Sequence, residues 1–378
     1  MNRIIFTCGF TLFGMFFGAG NLVFPLSIGM NTGENWLLGF LGLIVTGVAL
    51  PFFGLFAIKL NKGDYFSFFG NAGHAARLML PAIILTLIGS FGGMPRCIAV
   101  AHGGMKQLMP NLSLGLFSLV FCAATYFICM SDRRMINVVG KWMSPMLLLF
   151  LIVLVILGAA HPNALSSTAD FTPAPSFYHG LTTGYQTMDL LAAFFFSAWI
   201  FAQIQQMLPK NTSDKDLLKI SMKSTVIAMV MLALVYVGMV FLGANFSSLI
   251  ANVPPAERID AIANHLMGGY AALFIGVLIV VACFTTVVAL NTIYAKYLCS
   301  TFKCEDKFKL VLFATTVAAF LVSLFDFSGI MKILAPVLDV LYPSLIGLTM
   351  LSIFTKNQKV HTILFYCTLA AVLLFKVC

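Results

Sequence analysis

Eleven long apolar runs, separated by short polar segments, follow one another along the whole chain. A helix needs about 20 predominantly apolar residues to cross the hydrocarbon core of a bilayer, where backbone polar groups must be bonded within the protein. We therefore predict an all-α polytopic membrane protein of about 11 transmembrane helices. These helices, called spans one to eleven, cover residues 3–29, 35–58, 76–101, 112–130, 142–160, 179–207, 218–243, 268–298, 308–325, 329–354 and 360–377.

The composition of the chain excludes two broad classes of protein. Hydrophobic residues make up 60% of the 378 residues and charged residues only 9%, whereas soluble domains carry about 25% charged residues. A globule of this composition would have too little polar surface to stay in solution, which excludes a soluble enzyme. The net charge is +9, but Lys and Arg lie in short clusters between the apolar runs, which excludes a nucleic-acid binding face.

The positions of the basic residues orient the spans. If the N-terminus lies in the cytoplasm, 17 of the 22 Lys and Arg residues fall on the cytoplasmic side, and the remaining five are Arg96, Lys106, Arg258, Lys332 and Lys376. Cytoplasmic loops of membrane proteins carry such an excess. We therefore predict a cytoplasmic N-terminus, an external C-terminus and a single transmembrane domain over residues 1–378, with long external connections at 161–178 and 244–267.

Spans one and six each contain a cluster of residues that interrupts helices. Span one reads Gly14-Met-Phe-Phe-Gly18-Ala-Gly20-Asn21-Leu-Val-Phe-Pro25, and span six reads Gly180-Leu-Thr-Thr-Gly184-Tyr-Gln-Thr-Met-Asp189. The second interruption comes five spans after the first, which is the pattern of a secondary transporter built from two inverted repeats of five helices. We therefore predict a first repeat over 3–160, a second repeat over 178–354 and one additional helix over 360–377.

An interrupted membrane helix places free backbone groups near the centre of the bilayer. Gly18 and Gly20 lower the cost of leaving helical geometry, and Asn21 can bond the backbone groups that are freed. A helix that restarts here, with Pro25 in its first turns, presents N–H groups to an anion, while the half that ends near Phe17 presents carbonyls to a cation. The breaks therefore predict a site for a zwitterion beside a driving ion. The alternative is close helix packing through small residues.

The same residues carry a resemblance to a known family. The stretch Phe13-Gly14-Met15-Phe16-Phe17-Gly18-Ala19-Gly20-Asn21-Leu22-Val23-Phe24-Pro25 resembles the first-helix signature of the bacterial branched-chain amino acid carriers, the LIV-II cation symporters. The sixth-span motif Gly184-Tyr185-Gln186-Thr187-Met188-Asp189, together with Met94-Pro95-Arg96 and Leu341-Tyr342-Pro343, is similar to further patterns of that family. The resemblance implies the ten-helix inverted-repeat fold of the LeuT-type transporters in a bacterial cytoplasmic (inner) membrane. It also implies Na⁺-coupled uptake of leucine, isoleucine and valine by alternating access.

The resemblance further implies which residues form the binding sites, with Na⁺ as the coupling ion and no other cofactor. The Na⁺ ion would be held by carbonyls and hydroxyls of Gly14, Phe17, Ala282, Thr285 and Thr286. The substrate carboxylate would bind backbone amides of span one, the ammonium would bind backbone carbonyls of span six, and spans three, six and eight would form the apolar wall. The substrate site would comprise Gly18, Ala19, Gly20, Asn21, Gly184, Tyr185, Gln186, Thr187, Met188 and Asp189. Span seven lacks the asparagine that a second Na⁺ site requires in some relatives.

Three charged residues lie at membrane depth, where an unpaired charge costs roughly 2.5–3.5 kcal/mol. Asp189 either faces the site, where it would bind the substrate ammonium or a proton, or it caps the free amides of the interrupted helix. Arg96 either pairs with Asp189 or extends toward the membrane surface. Asp339 is either a gate residue or the partner of Lys332.

Two other functions fit part of this pattern. The first keeps the fold but carries another amino acid, or couples transport to protons through Asp189. The second is a non-transport membrane protein, such as a membrane-embedded enzyme, which would need a catalytic dyad or metal ligands at membrane depth. The six histidines all lie near span ends and form no paired metal-ligand motif. The pair of interrupted helices therefore favours a transporter over an enzyme, a channel or a sensor.

Overall fold

The computed structural model describes residues 2–106, 108–161, 172–209, 212–325, 327–355 and 357–377. Over these ranges the regular structure is helical, with no strand, and helices coincide with every predicted apolar run. Seven stretches of helix in the described chain are long and apolar enough to cross a membrane, and the shorter apolar helices include Asn2–Phe16 and Leu114–Cys129. Most of the first predicted external connection and the predicted boundary at residue 326 lie outside the described residues.

The bounds of the helices place each predicted span. Spans two and five each include a π-helical segment, Val45–Ala49 and Asn137–Met143. In chain order the helices are α1 (Asn2–Phe16), α2 (Ala19–Thr32), α3 (Trp36–Ile44), α4 (Leu50–Leu60), α5 (Tyr65–Gly70), α6 (His74–Ile88), α7 (Gly93–Met105), α8 (Leu114–Cys129), α9 (Asp132–Ile136), α10 (Ser144–Ala160), α11 (Pro173–Gly184), α12 (Asp189–Met207), α13 (Asp214–Asn245), α14 (Ser247–Ile250), α15 (Arg258–Met267), α16 (Ala271–Phe302), α17 (Phe308–Ser323), α18 (Phe327–Phe354) and α19 (Gln358–Val377).

Spans one and six are interrupted where the sequence predicts. In span one, α1 ends at Phe16 and α2 begins at Ala19, because Gly18 takes an extended conformation with φ −123° and ψ −156°. In span six, α11 passes into a short 3-10 turn over Tyr185–Thr187, and Met188 then turns the chain with φ 66° and ψ 14° before α12 begins. A left-handed conformation in a residue other than glycine costs roughly 1–2 kcal/mol, so the surrounding packing must hold Met188 in place.

The spans pack in a pattern that repeats after five. Span one (α1, α2) packs along span seven (α13), and span two (α3, α4) packs along span six (α11, α12). Span three packs against span eight, and span four against span nine. If five is added to each span number, and counting returns to one after span ten, the pair of spans one and seven becomes the pair six and two, and each other pair becomes a pair that is also present. The same packing therefore occurs in both halves of the bundle, as expected of two related five-helix units. The repeat bounds themselves stay predictions.

The closest approaches between these paired helices occur at glycines. A Cβ atom on Gly180 of α11 would lie 1.9 Å from the backbone oxygen of Gly39 of α3. At the related pair, a Cβ atom on Gly29 of α2 would lie 1.9 Å from the backbone oxygen of Val240 of α13. The interrupted helices are therefore held against their neighbours backbone to backbone, which fixes the position of both breaks.

The outer surface of the bundle is apolar. Val120, Ile156 and Leu234 are each more than 60% exposed, although they lie within the apolar helices α8, α10 and α13. Contiguous apolar surface of this kind is rare on proteins that face water. The chain is therefore a multi-pass membrane protein whose exposed side chains face lipid.

We expect Gly180→Ala to destabilise the protein, because the added methyl group would overlap the backbone of α3. Overpacking of this kind costs about 1–3 kcal/mol, which should lower the thermal midpoint of the purified protein in detergent by several degrees. Gly269→Ala is the matched control, because a Cβ atom there meets nothing within 4 Å. Equal midpoints for the two variants would contradict the close packing of α11 on α3.

Candidate functional site

A cluster of buried polar side chains joins three spans at the interruptions. Asp189 is the first residue of α12, and its carboxylate accepts hydrogen bonds from the side-chain amide of Asn21, at 3.1 and 3.0 Å, and from the hydroxyl of Tyr236, at 2.6 Å. The Asn21 amide also donates to the Tyr236 hydroxyl, and the Asn21 side-chain oxygen accepts from the backbone N–H of Gly18 at 3.3 Å. Asp189 is thus bonded to side chains of spans one and seven.

The second buried charge, Arg96 on α7, binds the other end of the same interruption. Its Nη1 atom donates to the backbone oxygen of Gln186 at 2.8 Å, and its Nη2 atom donates to that of Thr187 at 3.4 Å. Only 4% of the Arg96 surface is exposed, so the side chain does not extend to the membrane surface. A Cβ atom on Gly20 would lie 2.9 Å from Nη2, so the guanidinium lies directly beside the start of α2.

These contacts explain how two opposite charges are held at membrane depth. A helix carries partial negative charge at its C-terminal end and partial positive charge at its N-terminal end. Arg96 lies at the C-terminal end of the first half of span six, and Asp189 lies at the N-terminal end of the second half. The ion pairs among the described residues, Lys62–Asp214 and Lys296–Asp132, include neither charge.

A small cavity lies between the two interruptions. Its volume is about 30 Å³, enough for about one or two water molecules. Seven predicted site residues line it together with Arg96: Gly18, Ala19, Asn21, Thr187, Met188, Asp189 and Thr286. The rest of the wall is mainly apolar and comes from spans one, three, six and eight, through Met15, Phe16, Ile88, Gly93, Cys97, Ala192, Phe196 and Leu290. The structure therefore brings most of the predicted substrate site to one place.

Two of the residues predicted to bind the cation contact each other across two spans. The hydroxyl of Thr286 on α16 donates to the backbone oxygen of Gly14 on α1 at 3.5 Å, across the boundary between spans one and eight. The hydroxyl of Thr285 donates to the backbone oxygen of Ala282 in its own helix at 2.9 Å. Phe17 lies at the interruption, and its side chain is fully buried. Because Thr286 also lines the small cavity, the two predicted sites adjoin.

Four predicted substrate residues do not line the small cavity, and one of them, Gly20, lies beside Arg96 at the start of α2. Gly184 packs against Thr46 of span two, where a Cβ atom would lie 2.0 Å from the threonine hydroxyl. Tyr185, expected near the pocket, stacks on Tyr342 with ring centroids 5.0 Å apart and does not line the cavity. The side-chain amide of Gln186 donates to Asp339 at 3.5 Å, so a described partner of Asp339 is on span six.

The expectation that backbone carbonyls of span six are free for the substrate ammonium is wrong in this conformation. The carbonyls of Gln186 and Thr187 accept from Arg96, and the carbonyl of Tyr185 accepts from the N–H of Met188 at 3.1 Å. Because these carbonyls already accept hydrogen bonds, the group in the cavity lining that can attract an ammonium is the Asp189 carboxylate. Arg96 donates to carbonyls of span six, although a pairing with Asp189 was one of the two expectations for it.

Sequence reasoning missed Tyr236 altogether. Its side chain is fully buried in the middle of α13 and bonds both Asn21 and Asp189. The available signal was a tyrosine deep inside an apolar run, where a buried hydroxyl needs a hydrogen-bond partner. Arg96 was noticed as a buried charge, but its partners are backbone atoms of another span, which no sequence pattern specifies.

A larger outer cavity of about 790 Å³ lies beside the small one. Arg258 of α15 and Lys332 of α18 contribute to its lining, as do Phe24, Gln186 and Met331. Arg96 lies between the two cavities, because its guanidinium is 5.8 Å from the centre of the Phe24 ring and 3.7 Å from the Met331 sulfur. These contacts close the small cavity on the outer side.

The connection above the outer cavity contains a buried acid. A 3-10 turn over Pro255–Glu257 leads into α15, where Asp260 is 2% exposed and neither carboxylate oxygen has a hydrogen-bond partner among the described residues. Burial, and to a smaller extent the nearby Glu257, raises the pKa of Asp260 to about 7 from its ordinary value of 3.8. The folded protein therefore favours the neutral form of this side chain.

Comparison with known sequences connects this geometry to one family. The sequence model of the family described as "Branched-chain amino acid transport protein" matches residues 1–378. The chain is similar to the branched-chain amino acid permease BraB of Bacillus subtilis (28% identical, covering 93% of this chain and 80% of the relative). It is also similar to the branched-chain amino acid permease BrnQ of Corynebacterium glutamicum (30% identical, covering 90% and 79%).

Comparison with solved structures gives the fold. The Na⁺-coupled sialic acid symporter in a substrate-bound, outward-open state matches with a TM-score of 0.66 at 10% identity, covering 97% of this chain and 88% of the other. MhsT in complex with L-phenylalanine matches with a TM-score of 0.63 at 16% identity, covering 98% and 97%. The inward-facing conformation of Mhp1 matches with a TM-score of 0.60 at 17% identity, covering 93% and 77%. The expected LeuT-type fold is confirmed.

We expect Tyr236→Phe to destabilise the protein, because it removes one of the donors to the buried Asp189 carboxylate. A hydrogen bond to a charged group contributes about 1.5–3 kcal/mol, so the thermal midpoint in detergent should fall by several degrees. Tyr126→Phe is the control, since that hydroxyl makes a longer, exposed bond of 3.4 Å to the Lys309 backbone. Midpoints that fall equally would contradict a role for the Tyr236 hydroxyl in satisfying Asp189.

We expect Asp260 to make the protein less stable as the pH rises. A carboxyl group whose pKa is raised in the folded state holds its proton there while the unfolded chain releases it, so stability falls between pH 4 and pH 7. From pH 5.5 to 8 the loss from this group is about 2 kcal/mol. Thermal midpoints of wild type and Asp260→Asn at the two pH values measure it: the wild-type midpoint should fall further. Parallel falls would contradict the raised pKa.

Proposed function

We propose, because this chain belongs to the branched-chain amino acid transport protein family, that it carries leucine, isoleucine and valine into the cell in symport with a cation. It is a membrane transport protein and not an enzyme. The permeases named above are its relatives at about 28–30% identity over most of both chains. The single observation that carries the proposal is the small cavity, in which a carboxylate, a helix N-terminus and an apolar wall meet.

The polar part of the cavity supplies partners for both charges of an amino acid zwitterion, and the cavity of about 30 Å³ would widen to admit it. The N–H groups of Ala19, Gly20 and Asn21 open α2, whose first helical bond runs from Leu22 to Gly18, and such N–H groups attract a carboxylate. Asp189 would bind the substrate ammonium, because it is the anionic side chain of the lining. The ammonium would then replace the Asn21 amide as a donor to Asp189.

The apolar part of the cavity would line an aliphatic side chain once the cavity has widened. Ile88, Ala192, Phe196 and Leu290 lie on the same wall and offer no charged or hydrogen-bonding group. Adding or removing one methylene in such a pocket changes binding by only about 1–3 kcal/mol. We therefore expect leucine, isoleucine and valine to compete with one another, with only modest differences in affinity.

We propose Na⁺ as the driving ion, at the site formed by Gly14, Phe17, Ala282, Thr285 and Thr286. Carbonyl and hydroxyl oxygens are ligands of hard cations, and the contact between Thr286 and Gly14 brings donors of spans one and eight together. The Thr285 hydroxyl donates a hydrogen bond to the backbone oxygen of Ala282, which leaves the lone pairs of the hydroxyl oxygen available to an ion. The alternative driver is a proton carried by Asp189.

We propose that transport proceeds by alternating access, with the two cavities on its path. The outer cavity would admit substrate as far as Arg96 and Phe24, and movement of these groups would open the small cavity behind them. The excess of basic residues on one side of the membrane supports a cytoplasmic N-terminus. We accordingly place the protein in a bacterial cytoplasmic membrane, with the outer cavity facing away from the cytoplasm.

The test is uptake of radiolabelled leucine into proteoliposomes under an inward Na⁺ gradient, compared with an equal K⁺ gradient at the same pH. We expect Na⁺-dependent accumulation that isoleucine and valine compete. Thr286→Ala should raise the Na⁺ concentration for half-maximal uptake by about tenfold, the effect of losing a bond to a charged group. Thr292→Ala is the matched control, because Thr292 is buried on the same helix and its hydroxyl donates to the backbone oxygen of Val288 at 2.8 Å.

Each other outcome has a defined meaning. Uptake that ignores Na⁺ but follows a pH gradient, and that Asp189→Asn abolishes, would move coupling from the threonine site to Asp189. Equal Na⁺ dependence in the two threonine variants would contradict the assigned ion site. Folded protein that takes up none of the three amino acids would contradict the proposed substrate.

A further inference from the structure

Arg96 has more hydrogen-bonding capacity than its contacts use. A guanidinium carries five N–H donors in a planar fork. In the structure Nη1 and Nη2 bond the carbonyls of span six, whereas Nε is buried and has no hydrogen-bond partner among the described residues. A buried donor left without a partner costs about 1–3 kcal/mol. Bonding to the interrupted helix therefore accounts for one edge of the guanidinium and leaves the edge with Nε unexplained.

The unexplained edge belongs to a side chain that lines the small cavity. Arg96 and the first residues of α2 are in the same lining, and Nη2 comes within 2.9 Å of where a Cβ atom of Gly20 would stand. The absence of a side chain at Gly20 thus lets the cation approach the backbone at the start of α2. An anion bound to the first N–H groups of α2 would lie beside this guanidinium.

The two charged side chains in the cavity lining are complementary to a ligand that carries one positive and one negative group. Its lining contains one carboxylate, Asp189, and one guanidinium, Arg96, attached to different spans. Asp189 already accepts from Asn21 and Tyr236, whereas the hydrogen-bond partners of Arg96 among the described residues are uncharged. Arginine binds carboxylates in a bidentate manner through two parallel N–H groups, which is stronger than bonding to neutral acceptors.

We propose that Arg96 is a carboxylate-binding residue, which holds the substrate carboxylate through Nε and Nη2 while the N–H groups at the start of α2 bind the same group. This inference rests on the proposed function and names the group that selects for a free carboxylate. Arg96 retains its bond to Gln186 through Nη1 and so links the bound substrate to the interruption of span six. The carrier then rejects compounds that have the leucine side chain and ammonium but no carboxylate.

The position of Arg96 determines which group of the substrate is recognised first. Its contacts with Phe24 and Met331 put it at the boundary with the outer cavity. A substrate entering from that side meets the guanidinium before it reaches Asp189. Selection for the carboxylate therefore precedes closure around the ammonium and the aliphatic side chain.

The experiment compares the affinities of leucine and leucinamide, in which a neutral amide replaces the carboxylate, by equilibrium binding to purified protein with Na⁺ present. We expect wild type to favour leucine by about 100-fold, as the loss of a bidentate charged contact predicts. Arg96→Gln should reduce this preference to about threefold or less, because glutamine keeps hydrogen bonding but not the charge. Arg96→Lys should give an intermediate preference, since an ammonium group is a point charge without the planar fork.

Lys332→Gln is the matched control, because it removes a cation from the outer cavity and leaves the small cavity unchanged. Its preference for leucine should equal that of wild type. If Arg96→Gln binds both ligands more weakly but keeps the wild-type preference, Arg96 only supports the backbone and the inference is overturned. If wild type itself binds leucinamide as tightly as leucine, the inference is overturned. This comparison needs no variant, so its result does not depend on whether Arg96→Gln folds.

Failure of the proposed function is distinguishable from failure of this inference. Wild-type protein that binds none of leucine, isoleucine and valine, with Na⁺ or at low pH, overturns both. Wild-type protein that binds leucine but does not discriminate against leucinamide overturns only the role of Arg96. Wild-type discrimination that Arg96→Gln abolishes and Lys332→Gln preserves supports both.

Discussion

The site depends on the interruption of span six and on the opposite partial charges that it exposes. An uninterrupted helix would leave Arg96 and Asp189 at membrane depth without compensation, at a cost of roughly 2.5–3.5 kcal/mol each. The 3-10 turn and Met188 divide the helix so that carbonyls face Arg96 and an N-terminal end faces Asp189. Two charges can therefore lie close to one cavity without forming an ion pair that would close it.

The same interruption organises the packing of the bundle. Each broken span lies against an unbroken stretch through glycine contacts, with Gly180 on Gly39 and Gly29 on Val240. Because these contacts are backbone to backbone, neither broken helix can slide along its neighbour without steric overlap. The breaks therefore meet at the same depth, where spans three and eight complete the wall of the cavity.

Local patterns predicted the elements of this fold better than the contacts of the site. Apolar runs and glycine clusters depend on residues close in sequence, and they correctly indicated the helices and the breaks in spans one and six. The restarted helix α2 begins at Ala19, which places Pro25 in its second turn and so within the first turns, as the sequence predicts. The partners of Arg96 and the role of Tyr236 depend on groups about 50 to 215 positions away along the chain, and a single sequence contains no periodicity that specifies them.

The bonding of the small cavity also suits the return step of the proposed symporter. A carrier that has released its substrate must bring the empty site back across the membrane, and buried charges without partners would oppose this step. Here Asn21 and Tyr236 satisfy Asp189, while the carbonyls of Gln186 and Thr187 satisfy two donors of Arg96. The substrate ammonium and carboxylate would replace or add to these internal partners. Because the empty site keeps internal partners for Asp189 and for the two Nη atoms of Arg96, it can return across the membrane without substrate.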